Sequence, residues 1–181
     1  MRKASSTIIT FILVVILGFI GVSCTPSQQS QFISYTDDTN GFSIDYPQGW
    51  DVEPPPVKSK PELLVSIWSK KFGINPVGIQ VAKYRASGYN LENFAEFQIG
   101  ALPAIAKDYA SVSTEPITVN SVPAIVHVYN STVGQTSYKR MKVYLMEKET
   151  GWILGFDCPE KSYYFYKPTF DTSFNSFSLL R

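Results

Sequence analysis

The chain has one histidine, two cysteines and almost no surplus of charge, with 16 basic against 15 acidic residues. Each scarcity excludes a chemistry. With His127 alone there is no His-Glu-x-x-His helix, no second imidazole and no cysteine pair from which a hydrolytic zinc site is built. No Gly-x-Ser-x-Gly turn occurs to hold a strained serine nucleophile, and no glycine-rich phosphate loop is present. Nucleic acid is excluded as a partner, because phosphate binding needs Lys and Arg gathered in excess on one face. The expectation is a protein that is not an enzyme.

What the sequence does have begins at its first residues. Arg2 and Lys3 precede residues 8–22, a run of 15 uncharged positions made almost wholly of Ile, Leu, Val, Phe and Gly. As a helix it covers roughly 22 Å, short of a hydrocarbon core of ~30 Å, which is the pattern of a signal peptide rather than a span. Gly21-Val22-Ser23-Cys24 then places small residues before a cysteine. This resembles the lipobox of bacterial lipoproteins, with Gly21 where Leu is usual. It predicts a signal peptide over 1–23, a lipid on Cys24 as first mature residue, and attachment to the outer face of a membrane. A diacylglyceryl group plus an amide-linked chain gives the two anchoring signals that stable attachment requires. An uncleaved anchor helix or an ordinary secretory cleavage would export the same domain. Cys24→Ser is expected to release the protein or leave it unprocessed, and an unchanged mature mass would refute lipidation.

Removing 23 residues from 181 leaves 158, and removing Arg2 and Lys3 from 16 basic residues leaves 14 against 15 acidic. That is enough chain for one monomeric domain. Cys158 is then the sole cysteine, so no intramolecular disulfide forms; within an apolar stretch from Trp152 it reads as a buried, inert thiol. Residues 25–31 are Thr, Pro, Ser and Gln with no apolar side chain, too polar to bury, and 24–34 is predicted as a flexible tether before a domain over 35–181.

From Phe42 the pattern alternates, with Phe42, Ile44 and Tyr46 on one face and Ser43 and Asp45 on the other, as in a half-buried strand that Pro47 ends. Trp50 and Val52 resume an extended segment, followed by a Pro54-Pro55-Pro56 loop. Residues 63–69 and 77–84 read as a hairpin. A helix is predicted over 91–109, where Leu91, Phe94, Gln98, Leu102, Ile105 and Tyr109 recur at helical spacing and only Gln98 is polar. Asn90 caps it, Glu92 suits its positive end, and Pro103 predicts a kink or break around 100–103. Strands follow over 112–119, 122–130, 137–147 and 152–158, separated by turns at Asn120-Ser121, Gly134 and Glu149-Thr150-Gly151, so that sequential antiparallel pairing is expected. Met141, Val143 and Leu145 alternate with Lys142, Tyr144 and Met146, so that strand is expected to be covered on both sides near its end. A closing helix is predicted from Pro168, packing Phe170, Phe174 and Phe177 on the sheet. The fold class is α+β, an antiparallel β-sheet flanked by helices.

Three features are weighed as sites. His127 lies between Val126 and Val128 in a strand and reads as a satisfied structural or surface histidine. Asp37, Asp38 and Asn40 form the one compact oxygen cluster; Thr39 and Gly41 make it first of all a turn, and it is a weak candidate for calcium, the only metal considered. No other cofactor is expected. In Tyr163-Tyr164-Phe165-Tyr166 four consecutive rings cannot all face a core, so Tyr163, Tyr164 and Tyr166 are candidate interface residues, against the plainer reading that two rings finish the core and two lie on the surface.

Four segments in order resemble the PsbP-like proteins, whose fold is shared with the Mog-type Ran-binding proteins. They are Gly41-Phe42-Ser43-Ile44-Asp45-Tyr46-Pro47 with Trp50, the helix opening Leu91-Glu92-Asn93-Phe94, the hairpin Val119-Asn120-Ser121-Val122-Pro123-Ala124, and Phe170 to Ser176-Phe177. Ser121 stands where such proteins commonly carry Gly. The resemblance covers most of the mature domain and implies an α-β-α sandwich. It further implies an extracytoplasmic, non-enzymatic protein docked to a membrane protein complex; in photosynthetic organisms PsbP is an extrinsic subunit of photosystem II that assists calcium and chloride retention. Fold does not fix function, so that role is not carried onto this chain. The alternative is a small-ligand or cell-envelope binding module. A sizeable pocket would favour the ligand, and a flat aromatic patch a protein partner.

Overall fold

The computed structural model describes residues 31–54, 62–69 and 76–180. The expected signal segment, Cys24 and most of the tether lie outside the described residues, as do Pro55 and Pro56 and residues 70–75 between the two expected hairpin strands.

Strands β1 (Phe32–Asp37) and β2 (Phe42–Pro47) form the first hairpin, closed by a turn in which Gly41 takes φ +72° and its N–H reaches the Asp37 carbonyl at 2.7 Å. The tether therefore ends earlier than expected: Phe32, Ile33 and Ser34 pair with Pro47, Tyr46 and Asp45. Pairing with β2 gives these backbone groups partners that an isolated tether lacks.

Next come β3 (Asp51–Glu53), β4 (Glu62–Trp68) and β5 (Gly78–Arg85), the last two an antiparallel pair as expected. Helix α1 (Leu91–Ile105) follows, with the Asn90 side chain accepting from the Asn93 N–H at 2.8 Å and Glu92 in its first turn. It ends before Tyr109 and is one continuous helix through Gly100 and Pro103, not two pieces. Pro103 falls in the last turn, where it forfeits the bond to the Ile99 carbonyl but leaves almost no helix beyond it to be kinked, and the Ala106 N–H closes on the Leu102 carbonyl at 2.8 Å. Ile105 is 78% exposed, so the buried stripe stops at Leu102.

The strands β6 (Ala110–Val119), β7 (Val122–Val133), β8 (Thr136–Glu147) and β9 (Thr150–Pro159) pair in sequence. Asn120 and Ser121 both have positive φ, 45° and 66°, as a two-residue hairpin turn requires. The β8–β9 turn is Lys148-Glu149, earlier than expected, with φ +54° at Lys148. Thr150 and Gly151 belong to β9. Gly151 serves packing instead: a Cβ there would stand 2.3 Å from the Phe94 ring.

A 3-10 turn, Glu160–Ser162, leads into α2 (Tyr163–Ser176), and β10 (Ser178–Leu179) closes on β2. The closing helix thus starts five residues before Pro168, which lies inside it on the exposed side. Phe170 and Phe174 pack on Phe156 at 5.2 and 6.2 Å between ring centroids, while Phe177 caps the helix and sits against Phe42 and Trp152. Ser176 beside it accepts from the Asp45 N–H at 2.8 Å, so the Ser176-Phe177 pair fastens α2 to β2.

The result is a seven-stranded antiparallel sheet, order β3-β4-β5-β9-β8-β7-β6, with a small sheet β1-β2-β10. Alternation sends Val81, Val143, Leu145, Leu154 and Phe156 into a core with α2 and β2, and Ala82, Tyr144 and Ile153 into a second core with Phe94 and Ala95 of α1. Strand β8 is covered on both sides, as expected. Among the described residues both cores draw on positions between Tyr35 and Leu179, so this part holds a hydrophobic core of its own, as a folding unit requires. No helix among the described residues is long and apolar enough to cross a membrane.

Candidate ligand-binding cleft

Helix α1 has 15 residues and spans about 22 Å, whereas seven strands at ~4.8 Å spacing put the sheet edges about 29 Å apart. It packs on β7 and β8, and one helix cannot cover the whole face. Phe94 is seated over Gly151, which fixes the N-terminal half of α1 above one end of the strands. Beside its C-terminal half a cleft of about 560 Å³ opens over β5, β9 and β8.

Register determines what lines it. One row across the α1 face runs Ala82, Ile153 and Tyr144. The next runs Gln80, Gly155, Lys142 and His127, and the third Gly78, Asp157, Arg140 and Tyr129. The apolar lining is Leu63, Ala82, Phe97, Leu102, Ile105 and Ile153; the polar end holds Gln80, Gln98, Arg140 and Lys142. Gly155 makes room for the lysine, because a Cβ at that position would stand 2.5 Å from Lys142 Nζ.

Arg140 Nη1 reaches Asp157 Oδ2 at 3.4 Å, a single long contact rather than a two-pronged pair. Arg140 Nε, Asp157 Oδ1 and the Gln98 amide nitrogen are buried with no hydrogen-bond partner. Burial pushes the Tyr129 phenol up to about 12, helped by the Asp157 charge and opposed by the Arg140 guanidinium. Burial likewise raises Tyr144, so both phenols stay protonated.

His127 is fully buried at the side of this face. Its Nδ1 is 2.7 Å from Thr114 Oγ1 and its Nε2 2.9 Å from Tyr109 Oη, and its ring stacks on Tyr129 at 5.5 Å. Both nitrogens are occupied, which makes it the structural and not the surface histidine of the two expected. Burial lowers its pKa from the ordinary value, a hydrogen bond with the Ser113 backbone opposing. Cys158 points into the other core, where burial first, then the Asp157 charge, raise its thiol to about 12 with Lys139 opposing. It is a buried, unreactive thiol.

Tyr163 is withdrawn as an interface residue: it is 4% exposed and part of the core under α2. Tyr166 is half-buried against Trp50 and Phe170. Tyr164 and Phe165 are the outward pair, 77% and 75% exposed. Helical geometry places residues three apart on one side, which a reading of consecutive rings could not assign without knowing where α2 starts. Asp37 accepts from the backbone and side chain of Asn40 at 2.9 and 2.8 Å, and the Lys83 ammonium donates to Asn40 Oδ1 at 2.6 Å. These oxygens hold the β1–β2 turn, and no group of three or more acidic, His or Cys ligands occurs among the described residues.

The cleft residues were missed in sequence. Lys142 reads in sequence only as one member of an alternating strand, and nothing local sets Arg140 apart. The available signal was Gln98, the one polar residue on the apolar stripe of α1.

An antiparallel sheet with α1 on one face and α2 with a small sheet on the other defines an α-β-α sandwich of the PsbP-like fold. Comparison of structures agrees. Cyanobacterial PsbP from Synechocystis superposes with a TM-score of 0.64 at 15% identity, covering 87% of this chain and 97% of that one. LpqN of Mycobacterium tuberculosis, described as involved in cell envelope biogenesis, superposes at 0.57 and 12%, covering 84% and 92%. No family model and no curated protein sequence matches the chain.

Proposed function

We propose that this is a non-enzymatic binding protein of the cell envelope, held at the membrane by a lipid on Cys24, whose cleft beside α1 takes a small, largely apolar ligand. The observation that carries the reading is the cleft itself. Its volume of about 560 Å³ lies within the ~300–1,000 Å³ usual for ligand sites, and an apolar lining converges on a few polar groups. A catalytic reading has little to use. The His127 nitrogens are bonded to structural hydroxyls and Cys158 faces the opposite core, so neither offers a nucleophile or base to the cleft. The envelope role in the description of LpqN fits this reading.

A second reading, docking to a membrane protein complex, is favoured by one observation. Tyr164 and Phe165 are exposed on α2; the Phe165 ring meets Tyr166, which meets Trp50, two residues from Gln48, whose N–H bonds the Gln31 carbonyl.

The test uses the folded unit, residues 31–181, and the neutral fluorophore N-phenyl-1-naphthylamine. Saturable fluorescence enhancement is expected. Ala101→Trp, an exposed wall position that a large ring would extend over the cleft, should weaken it about tenfold or more. Absence of binding, together with co-purification of the native protein in near-equal amount with a membrane complex, would refute the ligand reading in favour of docking.

A further inference from the structure

The polar end of the cleft is built for one charge. Arg140 and Lys142 stand two residues apart on the same face of β8, about 7 Å along the strand. Asp157 faces Arg140 across the β8–β9 ladder. No carboxylate lies within ion-pair distance of Lys142 among the described residues. Two cations against one anion leave a single uncompensated positive charge, and neutral His127 in the Lys142 row adds none.

The donors are also unspent. Arg140 Nε and the Gln98 amide nitrogen are buried without partners and belong to residues lining the same cavity as Lys142. Arg140 itself is held in place, its guanidinium over the Tyr138 ring at 5.4 Å and its Nη1 on Asp157. A buried donor that lacks an acceptor costs free energy, and an oxygen bearing negative charge satisfies it most strongly. From this end the floor continues through Ala82 and Ile153 to Leu63, with Phe97, Leu102 and Ile105 of α1 as the wall. Among the described residues, that path has no further charge to hold a second ionic group.

We infer that the ligand is a monoanionic amphiphile, its carboxylate-like head between Arg140, Lys142 and Gln98 and its alkyl or aromatic body along the α1 wall. The inference rests on the ligand-binding reading of the cleft and specifies the class of molecule. A cationic head would meet the two basic groups, and a dianion would exceed the one charge the site leaves open.

The test is competition against bound N-phenyl-1-naphthylamine on residues 31–181, using dodecanoate, dodecan-1-ol and dodecyltrimethylammonium below their micelle concentrations. Dodecanoate is expected to compete at least tenfold better than dodecan-1-ol, and dodecyltrimethylammonium worst. Lys142→Gln leaves no buried partner behind and should lower the dodecanoate-to-dodecanol affinity ratio about tenfold; Arg140→Gln should do the same where it folds. Equal competition by the acid and the alcohol, or preference for the cation, would overturn the charge assignment while leaving the cleft a ligand site. Failure of the fluorophore itself to bind would overturn both.

Discussion

Replacing Phe42 with alanine is expected to lower the unfolding free energy by about 3–5 kcal/mol, the range for a large ring removed from a core that cannot collapse around the space. Phe42 is fully buried. Its ring lies 5.7 Å from Trp152 of the large sheet, 6.0 Å from Phe177 at the end of α2 and 5.9 Å from Tyr35 of β1. It is one contact through which the small sheet, the second helix and the large sheet share a core. Truncation therefore loosens three elements together. Urea unfolding should show the loss in the midpoint with little change in slope, and the melting temperature should drop on the order of 10 °C for a chain of this length. A loss below about 1 kcal/mol would mean that the three-stranded sheet is not fastened through this ring.

The second large effect concerns His127. His127→Leu removes a ring held between two hydroxyls, leaving Tyr109 Oη and Thr114 Oγ1 without it, and is expected to cost about 2–4 kcal/mol. The pH dependence is the more specific readout. Burial lowers the imidazole pKa below its ordinary 6.5, so the unfolded chain binds a proton that the folded one refuses. The stabilising contribution of the neutral ring is thus complete above about pH 6.5 and is lost as pH falls from there toward the lowered value, by at most ~1.4 kcal/mol per pH unit. Wild type should lose stability between pH 7.5 and 5.5, and His127→Leu should lose much less. Carboxylates titrate mostly below this window. Parallel curves for the two proteins would show that the ring carries a proton in the folded state.

Much of the architecture was legible in local pattern. Period-two alternation marked β2 and β8, and Asn90 announced the start of α1 through its cap. The chemistry of the turn residues located Asn120-Ser121 and Gly134. The misplacements have identifiable causes. Ile105 and Tyr109 continue the helical spacing of α1, but Tyr109 leaves to lie over His127 and Tyr129 at 6.2 and 5.4 Å, a contact that spacing within a helix cannot reveal. Pro168 marked a helix start, yet α2 begins at Tyr163, because burial of that ring in the core under the helix draws the first turn inward. Phe32 looked like tether because its strand partner is 15 residues away at Pro47.

The sequence by itself determined the elements, their two-faced patterning and the scarcity of catalytic side chains, since periodicity and composition are local properties of the chain. The cleft was decided by tertiary structure alone. Strand β9 returns across α1 to pair with β5, which brings Gln80 and Gly155 beside Lys142 and sets Asp157 against Arg140. A helix of 15 residues then covers one part of that face and leaves a cleft over β5, β9 and β8 that Arg140 and Lys142 line. Register between strands distant in sequence, and the area one helix can cover, turned an ordinary alternating strand into the floor of a site.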